Sequence, residues 1–199
     1  ELVMAGLWPD ADGAAAKNSF DSAMFRLRKL LDIEDAIVVA SGKVSLARSL
    51  VWTDVWALDA ALDATSDAPP ALAARRLLAA YPGRLLGSEE SPWLAKPRDA
   101  LHARVVRALM DVGQKLERAG DFESAIDVYR RALEADNLAE SLYRGLMRAL
   151  AATRDRAEAM NAFRRCRDLL SIVLSVKPSA ETEQLFRDIV ARGDSANRS

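Results

Sequence analysis

AGDFESAIDVYRRALEAD, residues 119–136, decides how this chain is read. Gly120 and Asp121 turn the chain between two helices. Ala125 allows a close approach of the helix pair, and Tyr129 fills the gap beside it. One helix earlier, Gly113 stands where that helix packs close against the next. An offset of 34 carries Ala125, Tyr129 and Ala132 onto Ala159, Phe163 and Cys166. Small falls on small and aromatic on aromatic. The same offset carries Gly120 onto Arg154, the one mismatch.

Thirty-four residues is the period of tetratricopeptide helix pairs, so the expected fold class is mainly α, built of antiparallel helix pairs. The second repeat supplies Tyr143 and Leu146 on its first helix and Ala159 and Phe163 on its second. Two repeats leave open faces, so helices from Ala71 to Tyr81 and from about Asp99 should extend the stack. The polar, Pro-containing run DATSDAPP (63–70) separates this region from the front of the chain. The expected division is a front domain at 1–62, a linker at 63–72, the helical repeats at 73–192 and a disordered tail, GDSANRS, at 193–199.

The front follows another pattern. Asp12 is placed to cap a helix from about Ala14 to Leu31. Phe20, Met24, Leu27 and Leu31 make one apolar stripe along it. Asn18, Ser22, Phe25 and Lys29 point the other way, flanked by Lys17, Arg26 and Arg28. The β-branched runs AIVVA and VSLA then enclose Ser41, Gly42 and Lys43, a hairpin signature. Helix then hairpin is the order of recognition helix and wing in a winged helix. Such a helix lies in the major groove, where Arg, Asn and Ser read base edges, and the wing sets Lys43 on a phosphate. Lys17, Asn18, Ser22, Phe25, Arg26, Arg28, Lys29, Ser41 and Lys43 are therefore the expected DNA-binding residues. Against this, a charged helix face is commonly just solvated, and Asp10, Asp12, Asp32, Glu34 and Asp35 lie on either side. The exposed Phe25 favours a contact surface.

Composition narrows the classes. A formal net charge of -1 requires any nucleic-acid contact to come from a local basic patch. A single cysteine, Cys166, rules out an internal disulfide and suits a reducing compartment. No apolar run reaches the roughly 20 residues needed to span a bilayer, and Glu1–Gly13 lacks the features of a signal peptide. The expected location is the cytoplasm. No catalytic set emerges. His102 stands alone without a second His or Cys for a zinc site, and Cys166 falls on a small-residue repeat position, which suits a buried inert thiol. Ser41–Lys43 is too short to cradle a phosphate, and Glu89–Glu90 lie in a polar loop. No enzyme, cofactor or metal is expected. Trp8, Trp52, Trp56 and Trp93 should anchor cores or the interface between the two halves, with Trp52 and Trp56 on one face if 53–58 is helical.

Together these segments resemble a known arrangement. LWPDADGAAAKNSFDSAMFRLRKLL is similar to the end of helix two and the recognition helix of an OmpR-type winged helix. YPGRLL, the stretch 93–98, GDFESAIDVYRRALEAD, AESLYRGLMRAL and KPSAETEQLF resemble the bacterial transcriptional activator domain of SARP-type regulators. GKVSL followed by WTDVWAL is like the copies found in large multidomain regulators. The departures are Asn137 for an expected Pro, and Arg154 and Ser175 for expected turn glycines. The resemblance also implies strands and a first helix ahead of residue 1, so Phe20, Met24 and Leu27 should lack some partners.

The resemblance implies a DNA-binding transcriptional regulator. Its winged helix would contact double-stranded DNA. Its repeats would contact RNA polymerase, another domain or a second protomer in a homodimer. The alternative is a protein-interaction or signal-sensing scaffold without DNA binding of its own. For that reading Arg130, Arg131, Arg144, Arg148, Arg164, Arg165 and Arg167 are candidates for an acidic partner, although as surface cations they are more readily explained as solvated.

Overall fold

Aspartates start three of the helices. Asp12 accepts from Ala15 N at 2.7 Å, Asp121 from Ser124 N at 3.2 Å and Asp155 from Glu158 N at 3.1 Å. Each satisfies a donor that the first helical turn leaves open. The computed structural model describes residues 2–83 and 85–196. They form two compact units, residues 1–56 with 89–96 and residues 57–88 with 97–199.

In the first unit, α1 (Leu2–Leu7) and α2 (Gly13–Leu31) precede a short 3-10 turn at Glu34–Ala36 and the antiparallel hairpin β1 (Ile37–Ala40) and β2 (Lys43–Leu46). Ile37 pairs with Leu46 and Ala40 with Lys43, which leaves Ser41 and Gly42 as a two-residue turn. Both have left-handed φ, +51° and +72°, as the tight primed hairpin turns require. Ala16, Ala36, Ile37 and Leu94 are buried here. Phe20 and Met24 are half-buried and Leu27 and Leu31 are exposed, so the apolar stripe of α2 is only partly covered.

The second unit takes in most of α3 (Asp54–Asp63), then α4 (Pro70–Ala80), most of α5 (Pro92–Arg118), α6 (Phe122–Ala135), α7 (Glu140–Ala152), α8 (Arg156–Leu174) and α9 (Ala180–Ala196). Antiparallel packing joins α6 to α7 and α7 to α8, with α9 against both α7 and α8 and α4 against α6. This is the tetratricopeptide-like stack, mainly α. The 34-residue offset recurs in the turns. Asp121 N bonds Leu116 O and Asp155 N bonds Leu150 O, each at 3.0 Å. Gly120 has φ +77° and Arg154, which replaces it in the second repeat, has φ +66°. The mismatch in sequence is thus no mismatch in backbone. Ser175, at the other expected glycine, has φ +56°.

Tyr129 on α6 sits where three helices meet. A Cβ at Gly113 on α5 would stand 2.6 Å from Tyr129 Cε1, and one at Gly145 on α7 would stand 2.6 Å from the same atom. Both distances are inside van der Waals contact, so the ring occupies space that only glycine leaves. The Tyr129 hydroxyl donates to Glu117 on α5, and Arg148 on α7 grips the same carboxylate through Nε at 3.0 Å and Nη2 at 3.2 Å. Burial first, then Glu117, pushes the Tyr129 phenol well above its ordinary pKa, so it remains a donor. Further along, Phe163 stacks on Phe186 of α9 with centroids 4.1 Å apart. Glu140 accepts from Ser179 N at 2.7 Å and from Ser179 Oγ at 2.6 Å, fixing the start of α9. Burial alone would raise the Glu140 pKa, but the Ser179 and Thr182 hydroxyls and Arg144 outweigh it and hold the carboxyl low.

Four expectations change. Leu58 and Leu62, placed in the front domain by a boundary at residue 62, are buried in the same core as Leu77, Val105 and Val112. The linker at 63–72 is shorter, since α4 begins at Pro70, and it is tied down: Lys115 Nζ donates to Thr65 O at 2.8 Å. The helix expected from Asp99 starts at Pro92 and runs through Pro97. The tail expected from residue 193 is helical through Ala196, and 197–199 lie outside the described residues.

Two stability measurements check these readings. Arg154→Gly should raise the urea midpoint, gaining about 0.5–1 kcal/mol as a left-handed position loses its Cβ; a neutral or lower midpoint contradicts the turn assignment. Tyr129→Phe should cost about 1–2 kcal/mol, because Glu117 loses a donor in a half-buried site; no loss would show that the hydroxyl bond contributes nothing.

Candidate functional site

The exposed side of α2 carries the residues that the sequence marks for DNA. Lys17, Asn18, Ser22, Phe25, Arg26 and Lys29 are all exposed. Spacings of three and four residues set Asn18, Ser22, Phe25 and Lys29 in one row. Phe25 is 69% exposed, a large aromatic left in water on a polar face. The hairpin turn follows, with Ser41 and Lys43 exposed at its tip.

Arg28 departs from this set. It is half-buried, its Nη2 donates to Ile37 O on β1 at 3.2 Å, and its Nε is buried without a partner among the described residues. The guanidinium braces the hairpin against the helix and does not project from the exposed row. No sequence signal marks this, because an Arg flanking a basic face looks the same whichever way it turns.

The tryptophans divide. Trp56 is half-buried under the Arg48 guanidinium, 4.9 Å from the ring centroid. Trp52 precedes α3, so the two do not share a helical face, and it is 75% exposed. Trp93 is 48% exposed and rests beside Gly6 of α1.

In the repeats, most of the seven arginines have partners. Arg148 is held by Glu117, and Arg144 by Glu181 at 3.1 Å and Thr182 at 3.1 Å. Arg131 meets Glu134 at 3.1 Å, Arg164 bonds Asn161 at 3.0 Å, and Arg167 meets Asp168 at 2.9 Å. Arg130 and Arg165 are left on the walls of a groove of about 500 Å³ between α6 and α8, floored by α7. A second groove, of about 350 Å³, holds the Glu117–Arg148 pair with Leu185 and Ile189 of α9.

His102 is half-buried, with Nδ1 3.0 Å from the Tyr81 hydroxyl and Nε2 3.9 Å from Asp136. Cys166 is fully buried, and burial foremost pushes its thiol up to about 11. Among the described residues no cluster of three His, Cys, Asp or Glu side chains gathers, and no helix is long and apolar enough to cross a membrane.

No curated protein sequence matches this chain. Among solved structures it is similar to Mycobacterium tuberculosis EmbR in complex with a low-affinity phosphopeptide, with TM-score 0.67 and 20% identity. That match covers 96% of this chain and 54% of the other, so the chain spans about half the length of that relative. At this identity the likeness shows the fold alone. The family described as the bacterial transcriptional activator domain matches residues 53–190, more than half of the chain. That span contains the repeat, its turns and the glycine–tyrosine packing, and the chain belongs to the bacterial transcriptional activator domain family.

Proposed function

We propose that this chain is part of a DNA-binding transcriptional regulator of the SARP type, acting in the cytoplasm. Helix α2 enters the major groove of double-stranded DNA through Lys17, Asn18, Ser22, Phe25, Arg26 and Lys29. Ser41 and Lys43 at the hairpin tip touch the backbone. The single observation that carries this reading is the exposed polar side of α2 with Lys17, Arg26 and Lys29, followed at once by a tight hairpin, immediately before an activator domain. Arg26 and Asn18 are suited to base edges and Lys43 to a phosphate. The chain as a whole is slightly acidic, so this patch supplies the attraction locally.

The helical repeats contact RNA polymerase, another domain of the regulator or a second protomer. Their chemistry is recognition. The cysteine is buried and its thiol held neutral, and the acids that pair with arginines hold helices together.

DNA titration at several salt concentrations tests the assignment. Arg26→Ala and Lys43→Ala should each weaken binding by roughly three- to tenfold. Removal of a phosphate contact should also lower the salt slope by about one. Arg28→Ala should act chiefly on stability, through the lost bond to Ile37. Unchanged affinity and slope in both Arg26→Ala and Lys43→Ala would remove DNA contact from this face and leave the repeats as an interaction scaffold.

A further inference from the structure

The groove between α6 and α8 has properties that the fold itself does not require. Its floor is apolar, with Leu133, Leu146 and Leu150. Leu146 and Leu150 are one helical turn apart on α7. Glu158 to Arg165 along one wall covers about two turns, roughly 10 Å. Such a trough takes an apolar helical or extended segment lengthwise.

The polar groups around it are unevenly satisfied. The two rim acids are engaged: Glu134 by Arg131 at 3.1 Å, and Glu158 by Asn161 at 3.4 Å. The two rim cations, Arg130 and Arg165, are exposed and have no ion-pair partner among the described residues. Tyr143, 1% exposed, lines the same groove, and among the described residues its hydroxyl has no partner at hydrogen-bond distance. Burial raises its pKa, and the Arg165 guanidinium, which acts on the hydroxyl through its charge and as a loose donor outside hydrogen-bond geometry, opposes that rise only in part, so the hydroxyl keeps its own proton to donate. A buried hydroxyl without a partner costs stability of the free chain. Two cations without ion-pair partners and the Tyr143 hydroxyl therefore line one groove with apolar side chains at its base. The chemistry they complement is a carboxylate beside aliphatic side chains.

We propose that this groove binds an acidic amphipathic peptide segment of a partner protein, its apolar side chains on Leu133, Leu146 and Leu150 and a carboxylate between Arg130 and Arg165. The Tyr143 hydroxyl donates to that carboxylate. The inference gives a place and a chemistry to the partner contact proposed above. It is independent of DNA binding by α2, so it is tested without DNA and either reading fails alone.

The probe is a fluorescein-labelled peptide of alternating Leu and Glu pairs, read by anisotropy against the full chain, with a Leu–Lys peptide of the same pattern as comparison. The Leu–Glu peptide should bind and the Leu–Lys peptide should not. Arg130→Glu with Arg165→Glu should weaken binding by at least about tenfold. Arg167→Glu, whose side chain already pairs with Asp168, should leave it unchanged. Tyr143→Phe should weaken binding about threefold without lowering the thermal midpoint, since the free chain loses no hydrogen bond. A purely structural tyrosine would show the reverse, a lower midpoint and unchanged binding, and that result overturns the proposal. So does equal binding of the Leu–Lys peptide, no binding of the Leu–Glu peptide, or undiminished binding by the charge-reversed protein.

Discussion

The ring of Tyr129 lies between two glycines on two different helices, and the repeat unit is arranged around that contact. Gly113 on α5 and Gly145 on α7 each leave room for one side of the phenol. A helix surface without a Cβ lets a neighbour approach as close as its backbone allows. Here the neighbour is an aromatic side chain from α6, so three helices are held at once. The hydroxyl then reaches Glu117, and Arg148 closes the carboxylate from α7. Apolar packing and a half-buried ion pair thus enforce one geometry at one place. Desolvation offsets much of the ion pair's attraction, so its net contribution to stability is small beside that of the ring packing.

Much of this is legible in the sequence alone. Asp12, the 34-residue offset, Gly113 and Tyr129 each carry a local physical signal: a cap, a period, a small residue opposite a large one. The hairpin was legible because β-branched runs enclosing Ser41 and Gly42 have few other uses. Gly145 was not, since a glycine inside AESLYRGLMRAL has no periodicity of its own and its reason lies on another helix. Arg154 is a mismatch in sequence, yet its backbone takes the same left-handed φ as Gly120. Local residue type indicated strain there, and the hydrogen bond from Asp155 to Leu150 overrode it. The domain boundary was misplaced by a few residues because Leu58 and Leu62 pack onto helices far along the chain.

The candidate site residues were harder to separate, because a charged residue on a helix reads alike whether it is solvated, paired or free. Arg28 proved to be a brace and Arg148 and Arg144 structural, while Arg130 and Arg165 kept their charge available. Partner geometry distinguishes these cases and sequence spacing does not. The same contrast divides the molecule's roles. In the repeats Arg144 and Arg148 tie one helix to another, while Arg131, Arg164 and Arg167 pair within their own helices. On α2 and the hairpin tip the charge faces water.

The glycine–tyrosine contact is tested most directly by a double-mutant cycle on unfolding free energy. Helix propensity alone predicts that Gly145→Ala gains about 1 kcal/mol. The packing at Tyr129 predicts the opposite sign, a loss of about 1–3 kcal/mol from overpacking. Tyr129→Leu removes the ring atoms that an added Cβ would meet. Combined with it, Gly145→Ala should therefore cost at least about 1 kcal/mol less than it does alone. A stabilising Gly145→Ala, or strict additivity of the two substitutions, would contradict the account.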